Sequence, residues 1–300
     1  MRLADACPVR LISVDSALVY RGMDIGTAKP SPSELTRYPH QLIDVRDHWD
    51  TYTAADFAKD AKREIEQAIK AGETPILVGG TMLYFKALIE GLSPLPGADE
   101  SFRKKLEERA AREGWPVLHA ELARVDRKAA EAIHPNHSHR IERALELIHL
   151  TGEKPSELKN KRQGASELFD FHQYALVPND RLVLHKRINA RLLDMVEQGF
   201  VEEVQQLRSA ALHRDDCPAM RAVGYRQCID YLNGGVDRAS FISSAQAATR
   251  QLCKRQLTWL RSWSELKTLP LSFNPSKPFE SPQEIRQIVV LLLKFCEKSS

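Results

Sequence analysis

The feature that most constrains this chain is an apolar strand, an amphipathic helix and a second apolar strand in succession near its start. Gln41–Val45 and Pro75–Val78 are predicted as buried strands. The segment between them begins with a capping-box pattern at Thr53, continues with apolar residues at helical spacing and stops near Gly72. Two parallel strands joined by a helix require a crossover connection. With a further strand predicted at Leu11–Val14, the sequence indicates an α/β domain built on a parallel sheet.

A helical segment interrupts this α/β pattern. Two prolines and two glycines within Gly91–Gly97 end the first region, and consecutive helices follow without an intervening strand. A strand-like run then returns at Tyr174–Val177. We therefore predict an α/β core formed by residues 1–100 and 169–300, and a helical insertion at residues 101–168. The remaining predicted helices cover about 82–89, 180–207, 237–263 and 282–298.

The composition excludes several classes of protein. Hydrophobic residues make up 43% of the 300 residues and charged residues 28%, as in a folded globular protein. The longest apolar run, Ile288–Leu293, is far shorter than the roughly 20 residues of a membrane-spanning helix. The five cysteines include no Cys-x-x-Cys pair, which argues against a disulfide framework or a zinc site. Because Met1–Pro8 does not resemble a secretory signal, we expect a cytoplasmic protein.

Polar residues follow two of the predicted strands. Asp15 follows the first strand directly, at the position where open α/β sheets bind ligands, so it is a candidate base. The alternative is that its side chain caps the turn starting at Ser16. Thr81 follows Gly79 and Gly80, and its hydroxyl at a helix start would suit an anion. A tight turn with a threonine cap explains the same pattern.

Basic residues later in the chain favour a phosphate or nucleic-acid surface. Arg221 lies in a predicted loop that enters a helix, where a guanidinium either binds phosphate oxygens or forms an exposed basic turn. Arg250, Lys254 and Arg261 share one stripe of a predicted helix, with Arg255 beside it. A stripe of one sign favours a polyanionic partner, although most charge runs are solvated faces. The net charge of +3 does not decide between these alternatives.

Three histidines lie close together within the predicted insertion. His134, His137 and His139 lack neighbouring carboxylates or cysteines that would complete a metal site, so metal ligation is rejected. Arg140 and Arg143 follow on a helical turn and are better candidates for contacting a polyanion.

Longer phrases carry a resemblance to one family. They lie in order along the chain at Leu11–Pro30, Leu77–Lys86, Gly91–Pro96, Val223–Gln227 and Thr249–Arg261. In these phrases the chain is similar to the bacterial tRNA dimethylallyltransferases, also called isopentenyl-tRNA transferases. The resemblance implies a P-loop-like parallel sheet with helices on both faces and a helical insertion domain.

The same resemblance implies an activity and a set of site residues. The family transfers a dimethylallyl group from dimethylallyl diphosphate to the exocyclic amine of the adenosine next to the anticodon, with Mg²⁺ as cofactor. By resemblance, Asp15 is the base, Thr81 positions donor and acceptor, and Arg221 binds the diphosphate. The implied partners are the tRNA anticodon stem-loop and the donor, with no membrane, and we expect a monomer. The residues that match tRNA-contacting segments are Asp15, Ser16, Ala17, Leu18, His139, Arg140, Ile141, Glu142, Arg143, Arg250, Lys254 and Arg255.

One part of the family pattern is missing from the printed sequence. The Gly-x-x-x-x-Gly-Lys-Thr loop that should cradle the diphosphate does not occur, and Met1–Cys7 matches the end of the helix that follows it. We expect that the translation start is assigned too far downstream, and that the chain as written folds poorly and is inactive. Two other interpretations are an adenylate isopentenyltransferase, which would use a free nucleotide, and a non-catalytic RNA-binding remnant.

Overall fold

The protein is described from a computed structural model, which covers residues 1, 3–92, 95–158, 164–210 and 217–272. The chain divides into two compact units. The α/β unit contains Met1–Leu88 and the described residues from Asp170 onward, and the helical unit contains Ile89–Phe169. No helix within the described ranges combines the length and apolar character that a membrane span requires.

A three-stranded parallel sheet organises the first part of the α/β unit. Its strands are β1 (Val9–Val14), β2 (His40–Gln41) and β3 (Thr74–Gly79), arranged in the order β2-β1-β3. In this order, β1 is the central strand, and its residues Ile12 and Val14 are completely buried. The strands predicted at 11–14 and 75–78 are confirmed as strands, but only the first is buried: β3 is half-buried along most of its length, and Val78 is exposed.

The crossover helix also confirms its prediction. Helix α2 spans Ala54–Lys70, and Thr53 and Asp56 form a reciprocal capping box at its start. Apolar residues spaced three and four apart, including Phe57 and Ile65, are buried on one face. This face packs α2 against the sheet and allows β1 and β3 to run parallel.

The prediction of a strand at Gln41–Val45 is largely wrong. Only His40 and Gln41 are extended, and Leu42 and Asp44 adopt left-handed backbone angles of φ 64° and 55°. The Lys29 ammonium fixes this turn by donating to the Asp44 carboxylate and, at 2.9 Å, to the Tyr20 carbonyl. An apolar run of strand-like composition therefore forms a turn, because a lysine distant in sequence binds it.

A second, two-stranded parallel sheet is formed by β4 (Tyr174–Pro178) and β5 (Lys267–Leu271). The sequence predicts β4 at Tyr174–Val177 without assigning it a partner strand. Within the described residues, β4 pairs with β5. The sequence did not indicate β5, whose five residues include Pro270 and are mostly exposed, unlike a buried apolar run.

The α/β unit contains six further α-helices among its described residues. Helix α3 begins and ends at the predicted residues, and α12 matches the long helix predicted at 237–263. The helix predicted at 282–298 lies outside the described residues. The bounds are α1 (Pro32–Arg37), α3 (Met82–Ile89), α9 (Arg181–Glu197), α10 (Phe200–Ala210), α11 (Tyr225–Leu232) and α12 (Arg238–Arg261).

Among its described residues, the helical unit contains five α-helices around its own core. Its most deeply buried apolar residues include Leu118, Leu122 and Ile141. The unit starts at Ile89, earlier than residue 101, where the sequence places the insertion. One reason is that the Ser166 hydroxyl donates to the Ile89 carbonyl at 2.7 Å. The helices are α4 (Glu100–Glu113), α5 (Trp115–Val125), α6 (Arg127–Glu131), α7 (Ser138–Thr151) and α8 (Pro155–Leu158).

Candidate active site

The candidate site lies where β1 and β3 end. In the parallel register, Val14 pairs with Gly79, so the residues that follow the two strands emerge at the same edge of the sheet. Asp15 follows β1, and Thr81 lies two residues beyond the end of β3. This edge is where open α/β sheets bind their ligands.

The Asp15 carboxylate is held by the backbone that follows it. Its Oδ1 accepts hydrogen bonds from the Ala17 N–H at 2.8 Å and the Leu18 N–H at 3.2 Å. Asp15 therefore does cap the turn, as one of the two interpretations of the sequence proposed. Within the described part of the chain, its Oδ2 accepts no hydrogen bond, so the cap leaves the second oxygen of a half-buried carboxylate for other chemistry.

Thr81 connects the two strand ends. Its Oγ1 accepts a hydrogen bond from the Ser16 N–H at 3.0 Å and lies 3.3 Å from the Ser16 hydroxyl. Its own N–H donates to the Val14 carbonyl at 3.2 Å. Thr81 thus fixes the turn that carries Asp15, and the structure brings these two predicted site residues together. Of the next three candidates for tRNA contact, Ser16 is exposed, whereas Ala17 and Leu18 are half-buried.

The two glycines before Thr81 are needed for close backbone packing. A Cβ on Gly79 would lie 2.1 Å from the Val14 carbonyl oxygen, and a Cβ on Gly80 would lie 2.5 Å from Gln256 Nε2. Gln256 belongs to α12 and donates to the Gly80 carbonyl at 2.9 Å. The absence of side chains at Gly79 and Gly80 therefore allows β1 and α12 to pack closely against them. The hydrogen bond from Gln256 attaches α12 to the sheet edge that carries Asp15.

Two arginines that the sequence reasoning missed lie on α9. The Arg191 guanidinium donates to the Thr27 carbonyl at 3.3 Å. Burial lowers the pKa of Arg191, and the Asp15 charge opposes that shift, so the two side chains interact electrostatically. Arg187 lies one turn earlier on the same helix. Their spacing of four residues on a helix was the available signal.

Arg221 ends a short 3₁₀ helix, Pro218–Arg221, and its side chain is exposed. The following turn is fixed internally, because Gly224 has φ 93° and donates its N–H to Gln227 Oε1 at 2.9 Å. Within the described residues, no hydrogen bond or ion pair joins Arg221 to Asp15 or Thr81. Its diphosphate role stays a prediction.

The basic stripe of α12 is partly engaged within the α/β unit. Arg250 donates to Asn189 Oδ1 at 2.8 Å, so one of its guanidinium nitrogens has a protein partner. Lys254, Arg255 and Arg261 are exposed. The half of the stripe beyond Arg250 is therefore free to meet solvent or a polyanion.

In the helical unit, the stretch His139–Arg143, which is predicted to contact tRNA, is partly buried. His139 and Arg140 are exposed, whereas Ile141 is completely buried and Glu142 is 7% exposed. Arg143 donates to Glu146 and, at 2.8 Å, to the Pro96 carbonyl. The consecutive residues Ile141 and Glu142 are buried in the helical unit, so a contact surface is available mainly at His139 and Arg140.

Comparisons with known proteins give a consistent result. A family model described as IPP transferase matches residues 18–263. The full-length tRNA isopentenylpyrophosphate transferase of Bacillus halodurans is 36% identical; the match covers 99% of this chain and 91% of that one, with a TM-score of 0.68. A tRNA delta(2)-isopentenylpyrophosphate transferase of Staphylococcus epidermidis is 27% identical. That match covers 100% of this chain and 94% of the other, with a TM-score of 0.65. A eukaryotic dimethylallyltransferase acting on tRNA shares the fold at 24% identity, covering 96% and 73%, with a TM-score of 0.75.

Proposed function

This chain belongs to the IPP transferase family, and from that premise we propose that it transfers a dimethylallyl group from dimethylallyl diphosphate to tRNA. The proposed acceptor is the exocyclic amine of the adenosine next to the anticodon. The observation that carries the proposal is the pairing of Asp15 and Thr81 at one sheet edge, with a carboxylate oxygen left unbound by the protein.

The proposed chemistry is a displacement at the first carbon of the donor. The amine nitrogen forms a bond to this carbon, while the carbon–oxygen bond breaks and its electron pair leaves with the diphosphate. An adenine amine is a poor nucleophile because its lone pair is delocalised into the ring. Asp15 accepts the amine proton as the new bond forms, which lowers the barrier.

The surrounding groups position this carboxylate. The Ala17 and Leu18 N–H groups hold Oδ1, so Oδ2 points to the reacting amine in the proposed complex. Thr81 acts as a positioning residue, since it fixes the Ser16 backbone next to the base. Arg221 is proposed to meet the negative charge of the diphosphate, a role that suits its exposed guanidinium.

Tight binding of tRNA requires a surface beyond the reacting base. We assign this role to the exposed residues of the α12 stripe and, in the helical unit, to His139 and Arg140. The target base must leave its stack for its amine to reach the half-buried Asp15 carboxylate. The sequence-based division of labour, in which residues 101–168 grip the tRNA and the α/β core performs the chemistry, stays part of this proposal.

In this proposal Mg²⁺ would bind together with the diphosphate of the donor. The described residues include no group of three or more His, Cys, Asp or Glu side chains that could hold a metal ion. Mg²⁺ is usually bound by one or two carboxylates together with substrate phosphates. No step of the chemistry above is routed through the ion.

The proposal is tested by measuring prenyl transfer and anticodon stem-loop binding on the same preparation, both for the full chain and for the same chain preceded by a Gly-x-x-x-x-Gly-Lys-Thr loop, because the chain without that loop is expected to be inactive. Transfer to the stem-loop supports it, and binding without transfer supports the RNA-binding alternative. Transfer to free adenosine monophosphate, with none to the stem-loop, would instead identify an adenylate isopentenyltransferase.

The role of Asp15 has a sharper test. Asp15→Asn keeps an oxygen that can accept the Ala17 and Leu18 N–H groups but cannot take a proton at neutral pH. We expect transfer to fall at least about 100-fold, as for loss of a general base, with stem-loop affinity within a few fold of the wild type. Asp230→Asn, an exposed position on α11, is the matched control. Undiminished turnover of Asp15→Asn would exclude this base.

A further inference from the structure

A cavity of about 350 Å³ lies within the helical unit and is lined by residues of α4 and α7. Its volume falls in the range of small-molecule sites, roughly 300–1,000 Å³. On α4 it is lined by Glu107 and, three residues later, by Ala110. On α7 it is lined by Ser138 and, four residues later, by Glu142. These spacings place each pair on one helix face, so α4 and α7 each contribute one wall.

Trp115, the first residue of α5, supplies an aromatic surface to this cavity. It is half-buried, and within the described residues no aromatic ring packs against it. Ala110 leaves the neighbouring wall without a bulky side chain. A flat aromatic ligand can therefore stack on the indole, which is how proteins commonly hold bases that have left their stack.

The Glu142 carboxylate lines the same cavity and lacks a hydrogen-bond donor. Its side chain is 9% exposed, and its Oε1 lies 3.2 Å from Arg103 Nε. That nitrogen has a single hydrogen, which it donates to Glu146 at 2.8 Å. Within the described part of the chain Glu142 accepts no hydrogen bond, although burying a carboxylate without donors is costly. Burial accordingly raises the pKa of Glu142. A ligand that donates N–H groups would supply the missing hydrogen bonds.

Among the RNA bases, guanine matches the aromatic surface and the carboxylate together. Its N1–H and its exocyclic amine lie side by side on one edge, where a carboxylate can accept from both. Adenine presents the N1 lone pair on the corresponding edge, which a carboxylate repels. The His139 ring and the Ser138 hydroxyl also line the cavity and can contact the remaining polar atoms of the base. Arg140, the next residue of α7, is exposed and suits an RNA phosphate.

We propose that this cavity of the helical unit binds a guanine base that leaves its stack in the bound RNA. The base stacks on Trp115 and donates its N1–H and amine hydrogens to Glu142. The inference rests on the proposed function for the identity of the RNA. It assigns a binding role to Trp115, which the sequence did not single out. It also gives the buried Glu142 a way to contact RNA, through an inserted base.

The first test measures the binding of guanosine to the full chain by quenching of tryptophan fluorescence, with adenosine and inosine as comparators. We expect guanosine to bind about 10-fold more tightly than adenosine, with inosine, which lacks the amine, in between. Glu142→Gln, whose NH₂ group opposes a donor of the base, should remove most of that preference. Glu108→Gln, exposed on α4, is the matched control and should keep it.

The second test removes the stacking surface. Trp115→Leu should abolish the quenching by guanosine, whereas Trp49→Leu, at an exposed tryptophan of the α/β unit, should not. Trp115→Leu and Glu142→Gln should each weaken the binding of an anticodon stem-loop with a guanine in its loop by about 5-fold or more, because each loses a contact to the inserted base. Thermal unfolding followed by circular dichroism checks that both variants fold as the wild type does.

The outcomes separate this inference from the proposed function. Guanosine binding that depends on Trp115 and Glu142 supports the site even if the chain transfers no prenyl group. Prenyl transfer by a chain that binds guanosine no better than adenosine would leave the proposed function intact and overturn the guanine site. Stem-loop binding that neither Trp115→Leu nor Glu142→Gln weakens would overturn it too, as would binding of the organic cation spermidine in place of guanosine.

Discussion

At the scale of single residues, Glu203 shapes the surroundings of the site without touching a substrate. Its side chain is 8% exposed and accepts hydrogen bonds from three successive N–H groups, at Asp24 (2.9 Å), Ile25 (2.6 Å) and Gly26 (3.1 Å). The Tyr225 hydroxyl donates to the same carboxylate at 2.6 Å. One carboxylate therefore holds the loop whose next residue supplies the carbonyl bound by Arg191.

This arrangement makes a stability prediction. Glu203→Gln replaces a buried carboxylate that accepts from four donors with an amide whose NH₂ group cannot accept a hydrogen bond. We therefore expect the free energy of unfolding to fall by about 3 kcal/mol. Urea unfolding followed by circular dichroism measures it. Glu202→Gln, one residue earlier and exposed, should change stability by less than about 0.5 kcal/mol. Equal stability of the two variants would contradict the role assigned to Glu203.

Glu146 has a comparable role in the helical unit, where it joins α4 to α7. Burial alone would raise the pKa of Glu146, but hydrogen bonds from Arg103, Arg143 and the Asp99 N–H lower it to about 2. A carboxyl whose folded pKa lies below its unfolded value of 4.5 stabilises the fold above that pH. The stabilisation, about 3 kcal/mol, is lost progressively as the pH falls from about 4.5 to about 2.

We therefore expect the pH to set the difference between wild type and Glu146→Gln. At pH 6 the variant should unfold at a lower urea concentration, because it removes the buried carboxylate charge that Arg103 and Arg143 both contact. The gap should shrink as the pH falls towards 2, where about half of the wild-type carboxyls are protonated, and it should approach zero below that pH. Glu131→Gln, which removes an exposed ion pair with Arg127, should show no such convergence. A gap independent of pH would contradict the lowered pKa.

At the scale of secondary-structure elements, the sequence predicted correctly those elements that are stabilised by interactions among their own residues. Helix α2 was predictable because its cap and its apolar spacing lie within its own residues. The run at 41–45 was not predictable, because Lys29, from another segment, binds Asp44 and stabilises a turn. The pairing of β4 with β5 depends on partners about 90 residues apart in sequence, which composition does not encode.

The candidate site shows the same limit. Asp15 and Thr81 could be predicted because they lie one and two residues beyond the ends of strands whose direction the crossover determines. Arg191 could not, since its hydrogen bond to the Thr27 carbonyl depends on how α9 packs, and spacing alone does not distinguish it from a solvated arginine. Ile141 shows the opposite error. The family resemblance predicts that it contacts tRNA, but its side chain is completely buried in the helical core.

At the scale of the whole molecule, the α/β unit has a charge distribution suited to a large anionic partner on one edge. Lys254 and Arg255 are exposed on α12, the helix that Gln256 attaches to the end of β3. Lys70 ends α2 and is also exposed, but it lies near the start of β3 at the opposite edge of the sheet. A partner bound over the carboxyl edge would therefore meet Lys254 and not Lys70.

Charge reversal at these two lysines tests whether tRNA uses this edge. Each phosphate that a lysine neutralises releases a counterion, so the logarithm of the binding constant falls with the logarithm of salt concentration. Lys254→Glu should weaken anticodon stem-loop binding and reduce that slope by about 1, whereas Lys70→Glu should leave the slope unchanged. Filter binding between 50 and 200 mM salt, roughly the range over which such slopes are steep, measures both. Identical slopes for the two variants would show that α12 does not contact the RNA backbone at Lys254, because a purely non-specific loss of positive charge would affect both alike.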